Sequence, residues 1–339
     1  MLASGRRRRY HWLMSRSRRL FTSLLLALPI LAGCDNSLEA QCRRGDGRVC
    51  GVLGDRERDP DAGGDVGHAC DLYRRACKIG NYYGCSNLGA LLAQKKCEGA
   101  PGEAVSVLTR ACDHDDPGGC NNLGLLHRDG ELVEKDHARA AAALRKACAQ
   151  MAASCDNLGS MLIEDKDEAG AAAAFKTGCD SKEDGFAKHT VCFKLALAHE
   201  NGWGVPRDLA RAAQIHAAAC DKGVGHACER LGHIEREKAD PAAQQRAFTH
   251  FQRACSGGRA SSCNNLGLMY AMGMGVARDP SRAGQLFQKA CESGDLEACA
   301  NLGSRLLSGD GMTKDEARGR ELIQKACAGG VKAACSPPP

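Results

Sequence analysis

The chain has very few aromatic residues: 7 Phe, 5 Tyr and 2 Trp in 339 residues. Large rings supply much of the buried area of an ordinary core, so this core has to be built from aliphatic and small side chains. Prolines number only 10, which leaves long stretches free to be helical. No C-x-x-C spacing occurs, which argues against zinc ribbons and dithiol redox centres. The signatures of common enzyme classes are missing too: no G-x-S-x-G, H-E-x-x-H, Walker loop, Rossmann glycine pattern or S-x-x-K. Nor is there a strong excess of one charge. Basic residues number 46 and acidic ones 41, and Arg6 to Arg9, Arg16, Arg18 and Arg19 all lie before residue 20. The remainder is near neutral, which excludes a nucleic-acid footprint. The 11 histidines are scattered, so no metal and no other cofactor is expected.

What is abundant is cysteine, 21 residues, and glycine, 40. The first cysteine closes an address. Leu20 to Leu31 form an apolar run, too short to span a membrane, behind an arginine-rich start. It ends in Leu31-Ala32-Gly33-Cys34. This layout resembles the signal of a bacterial lipoprotein, and the resemblance implies cleavage before Cys34 and diacylglyceryl attachment to its thiol. The expected division is therefore a signal peptide over 1–33, a lipid-anchor segment over 34–48, a repeat array over 49–335 and a tail over 336–339. The expected location is exported and membrane-anchored, on the periplasmic or cell-surface side, with the choice of membrane open.

The other 20 cysteines are evenly spaced. Cys42/Cys50, Cys77/Cys85, Cys112/Cys120, Cys220/Cys228, Cys255/Cys263, Cys291/Cys299 and Cys327/Cys335 each enclose seven residues. Cys148/Cys155 encloses six and Cys179/Cys192 twelve. The second members recur every 35 to 37 residues from Cys50 to Cys335. A period of that size, kept over the chain, marks a repeat array rather than two globular domains. An exported chain with an even cysteine count points to disulfides.

Each unit reads as two helices. The first opens on a motif: CSNLG at Cys85, CNNLG at Cys120, CDNLG at Cys155, CERLG at Cys228, CNNLG at Cys263 and CANLG at Cys299. A glycine turn follows in three units (GWGVPRD, GMGVARD, GDGMTKD), and Asp208, Asp279 and Asp315 stand where an N-cap belongs. The second helix is alanine-rich and ends in Ala-Cys, as in LRKAC and FQKAC. Phe175, Phe248, Phe251 and Phe287 lie in second helices and are expected in the core, whereas Trp203 and Met274 are expected exposed in turns.

The succession C-x-N-L-G, G-x-G-V-x-x-D and K-A-C resembles the Sel-1-like repeat, a relative of the tetratricopeptide repeat, and in particular the Helicobacter cysteine-rich proteins. The resemblance covers about residues 42–335. It implies an all-α superhelical solenoid of about eight α/α repeats, each hairpin cross-linked by one disulfide. The implied bridges are the nine pairs above: Cys42–Cys50, Cys77–Cys85, Cys112–Cys120, Cys148–Cys155, Cys179–Cys192, Cys220–Cys228, Cys255–Cys263, Cys291–Cys299 and Cys327–Cys335. Cys70 and Cys97 remain, as a further bridge or as free thiols. The implied function is a non-catalytic scaffold for protein, peptide or cell-wall material. A β-lactamase or peptidoglycan hydrolase is the alternative, by family analogy only.

Asn87, Asn122, Asn157, Asn265 and Asn301 share one repeat position. They could form a ladder that binds a peptide backbone, or they could hold the repeats in register. Roughly 165–195 is the most irregular stretch, with a shortened turn after Ile163 and CFKLA in place of C-x-N-L-G. Lys182, Lys188 and His189 in its enlarged loop are candidate partner contacts.

Overall fold

The computed structural model describes residues 37–100, 102–238 and 240–335. The signal segment 1–33, Cys34 and the tail 336–339 lie outside the described residues. Among those residues there are seventeen α-helices and no strands. They are α1 Leu38–Arg43, α2 Gly47–Glu57, α3 Val66–Lys78, α4 Tyr82–Ala93, α5 Glu103–Asp113, α6 Pro117–Asp129, α7 His137–Cys148, α8 Ala152–Glu164 and α9 Glu168–Asp180. Then follow α10 Phe186–Asn201, α11 Leu209–Asp221, α12 Gly225–Arg236, α13 Pro241–Ser256, α14 Ala260–Met272, α15 Pro280–Glu292, α16 Leu296–Ser308 and α17 Glu316–Ala328. The chain divides into two compact units, the first ending at Val191 and the second beginning at Cys192. In the first, consecutive helices from α1 to α9 pack on one another, and in the second those from α11 to α17 do, the local contact pattern of a solenoid.

Helix starts are set by aspartate. Asp208, Asp279 and Asp315 accept the amides of Arg211, Arg282 and Arg318. Asp46, Asp65, Asp116, Asp136, Asp167, Asp240 and Asp295 cap in the same way. Each cap satisfies an amide that the helix leaves unpaired.

The recurrent glycine of the C-x-N-L-G motif is explained by what sits on it. Four residues before the first cysteine of each pair, the second helices carry Tyr73, Leu108, Leu144, Phe175, His216, Phe251, Phe287 and Ile323. A methyl group at Gly54, Gly89, Gly124, Gly159, Gly232, Gly267 or Gly303 would lie 2.3–2.8 Å from its partner in that row, His216 excepted. The glycine is the socket and the large residue the knob. Tyr73, Leu108, Leu144, Phe251 and Phe287 are almost wholly buried. Gly159→Ala is therefore expected to overpack the fourth repeat and cost about 1–3 kcal/mol. Urea unfolding of the oxidised protein would measure it as a lower midpoint at unchanged slope.

The expectations for single side chains divide. Phe175, Phe251 and Phe287 are core, and Trp203 is 42% exposed. Phe248 is half-buried against Tyr270. Met274 is half-buried rather than exposed, because it packs on the core around Phe287. Within the N-terminal segment before residue 49, α1 packs on α2. The shortened turn after Ile163 is real, since only 165–167 separate α8 from α9. The enlarged loop is largely absorbed by helix. Only 181–185 are non-helical, and α10 runs for 16 residues where neighbouring first helices have 12 or 13.

Candidate functional site

The cysteines meet as helix ends meet. In the short loops, glycines such as Gly80, Gly223, Gly258 and Gly294 take left-handed φ, and Asp115 takes φ +61° in their place. That turn lets Gly80 and Asn81 donate back to Cys77 and Ala76, reversing the chain within a few residues. The eight short pairs from Cys42–Cys50 to Cys327–Cys335 then stand with Cα atoms 4.3–4.8 Å apart, sulfurs bonded. Cys179 and Cys192 are disulfide-bonded as well. Cys70 and Cys97 form a further bridge, Cα atoms 5.9 Å apart. Counted outward from Cys77–Cys85, Cys70 lies 7 residues away and Cys97 lies 12; α4 stops at Ala93, and the non-helical backbone beyond it takes up the difference.

The asparagine row bonds inside the protein. Asn157 donates to Asn121 Oδ1 at 2.8 Å and Asn301 to Asn264 Oδ1 at 2.8 Å, each reaching the preceding first helix. Asn122 donates to the Ser86 carbonyl at 3.5 Å. Asn87 and Asn265 accept from Arg58 and Arg236 at 3.0 and 2.8 Å. All five are half-buried. The row therefore sets neighbouring first helices side by side, and several of its polar atoms are already spent.

Sequence reasoning missed the partners of this row. Glu229 stands one residue before the asparagine position and accepts from Arg259 and Ser262 at 2.7 and 3.1 Å, and from Ser261. Burial alone would raise its pKa, but these bonds outweigh burial and hold the carboxyl below its usual range. Arg230 replaces the asparagine itself and pairs with Glu200. Of the loop candidates, Lys188 donates to the Ser181 carbonyl at 2.5 Å and His189 bonds Asp184 at 3.0 Å. Both hold the loop's own shape, and Lys182 is exposed.

One knob is polar. His216 is 0% exposed, with Glu200 Oε2 3.4 Å from its Nε2 and no partner for its Nδ1. Burial pushes its pKa down to about 4. Among the described residues no cluster of His, Cys, Asp or Glu could hold a metal ion, and no helix is long and apolar enough to cross a membrane.

The Sel1 repeat model matches residues 117–150, 190–224, 225–258, 260–295 and 296–331, just over half of the chain. The chain belongs to the Sel1 repeat family. Members of this family are generally protein-interaction scaffolds. A Sel1 repeat protein from Oxalobacter formigenes superposes with TM-score 0.67 at 23% identity, over 88% of this chain and 87% of that one, and shares the fold. Helicobacter pylori cysteine rich protein B is 29% identical, over 38% of this chain and 93% of that one, with TM-score 0.32. Cytochrome c oxidase assembly factor 7 from Xenopus tropicalis is 31% identical over 121 residues, 33% of this chain. The Sel1 chain spans 51% of that curated relative's length. Paired cysteines at this density belong to chains that fold in an oxidising, exported environment.

Proposed function

We propose that this Sel1 chain is an exported scaffold, lipid-anchored through Cys34, that holds a protein partner on the face made by successive first helices and performs no catalysis. The observation that carries the reading is the asparagine row. It fixes α6 beside α8 and α14 beside α16, so that side chains beyond the row are presented at a constant spacing. Met272, at the end of α14, is 66% exposed although apolar, and Ser304 on α16 is exposed as well. Arrays of this kind bind through such extended surfaces.

A photo-crosslinking residue placed at Met272 or Ser304 is expected to trap a partner in membranes. The same residue at the exposed Gln324 of the second helix α17 is expected to trap none. Crosslinks at Gln324 alone would overturn the surface assignment. For the anchor, Cys34→Ala is expected to abolish incorporation of labelled palmitate, and incorporation that persists would refute it. Hydrolysis of nitrocefin by the purified oxidised protein would restore the hydrolase alternative.

A further inference from the structure

We infer that the groove between α5 and α7 is a binding site for a short peptide with free amino and carboxyl ends. The cavity measures about 700 Å³, against about 520 Å³ for the corresponding groove beside α17. That is within the usual size of ligand pockets. Its wall includes Val105 and Leu123, and His127 from the end of α6. The position of His127, seven residues after the second cysteine, holds leucine in three other repeats: Leu92, Leu162 and Leu306. His127 is only 9% exposed, and its Nδ1 has no partner in the protein. An unpartnered buried nitrogen costs about 1–3 kcal/mol where leucine would cost nothing. A ligand's polar group in the cavity would recover that cost.

The charges at the rim select the ligand. Asp136 is committed to capping α7, and Lys146 to the Cys112 carbonyl and Asp115. Arg139 pairs with Asp136 at 3.3 Å, which leaves Asp113 and Glu134 exposed as carboxylates and Lys135 as the exposed cation. A singly charged ligand would satisfy one sign of charge and face repulsion from the other. A short peptide carries an ammonium for the carboxylates, a carboxylate for Lys135, and an apolar side chain for Val105 and Leu123. The site is separate from the first-helix face and does not rest on it.

The test is an NMR titration of the full mature, oxidised chain with the tripeptide Ala-Leu-Ala. The comparison ligand is the same peptide acetylated and amidated. The free peptide is expected to shift the His127 ring resonances and to bind at least about tenfold tighter than the blocked one. His127→Leu, which copies three other repeats, is expected to fold normally and to lose about tenfold in affinity. Equal binding of the two peptides, no binding of either, or full affinity in His127→Leu would each overturn the proposal. Trapping at Met272 is expected to survive His127→Leu, so failure here leaves the scaffold reading standing, and the converse holds.

Discussion

Complete reduction is expected to lower the melting temperature by tens of degrees, the largest single effect available to this protein. The cause lies in the unreduced unfolded chain. Each short bridge closes a loop of about nine residues, worth roughly 2.5 kcal/mol on the chain-entropy model. The Cys70–Cys97 bridge spans 27 positions, and its larger loop is worth about 3.5 kcal/mol. Summed, these exceed the ~5–15 kcal/mol by which ordinary domains are stable. Strain and residual structure in the unfolded state will shrink the sum, but not to the level of a single core substitution. The bridges will not open together. Cys335 is exposed and Cys97 half-buried, while both cysteines of the Cys112–Cys120, Cys255–Cys263 and Cys291–Cys299 pairs are buried. Graded reductant with alkylation and peptide mass spectrometry is expected to label Cys335 and Cys327, then Cys97 and Cys70, before the buried pairs. Labelling in which Cys255–Cys263 opens first, or a melting temperature that moves by only a few degrees, would contradict this account.

The fold was legible because it is repeated. One C-x-N-L-G would be a weak signal, but five occurrences in phase with the cysteines fix helix direction, turn position and the contacts between them at once. Three capping aspartates could be named because a glycine turn announced them; Asp65, Asp136 and Asp240 cap equally well but follow turns of other composition. The meaning of the motif's glycine was not legible. It depends on Leu108, Phe175 or Phe287 arriving from the next helix, a contact across about 16–20 residues of chain. The irregular loop misled for a similar reason. Twelve residues between Cys179 and Cys192 look like a long loop until Phe186 to Val191 add turns to α10, an outcome decided by packing and not by spacing. The asparagines could be placed but not assigned, since their partners Asn121, Asn264 and Ser86 lie one repeat away.

The fifth repeat departs from all the others at two positions that face one another in the repeat register, and this yields a sharp expectation. Its socket is Ala196 where seven other first helices have glycine, and its knob is His216 where the others have Tyr, Leu, Phe or Ile. A smaller ring has to accompany the added methyl group, because Phe251 and Phe287 stand 2.7 Å from where such a methyl would be. The exchange has an electrostatic consequence. His216 is held neutral by burial, and its folded pKa is about 4 against 6.5 for the free side chain. The groups around it do not reverse this. Glu200 is 3.4 Å away but is shared with Arg230, the Phe193 ring is 5.3 Å away, and His226 beyond Phe193 is itself depressed by burial. A depressed histidine is neutral in the fold and protonated first in the unfolded chain. Its contribution to stability is complete above pH 6.5 and is lost as the pH falls from 6.5 towards 4, by about 3 kcal/mol at most. His226, His233 and His250 shift in the same direction and steepen the same window. His216→Phe alone is expected to overpack against Ala196 and destabilise by about 1–3 kcal/mol at neutral pH. Combined with Ala196→Gly it restores the common knob and socket, and the double variant is expected to be at least as stable as the parent while losing much of the slope between pH 6.5 and 4. Urea midpoints across that range for the four proteins would decide it: if the two substitutions prove additive, or the double variant keeps the parent's full slope, His216 is neither the fitted partner of Ala196 nor the principal acid-sensitive group of this repeat.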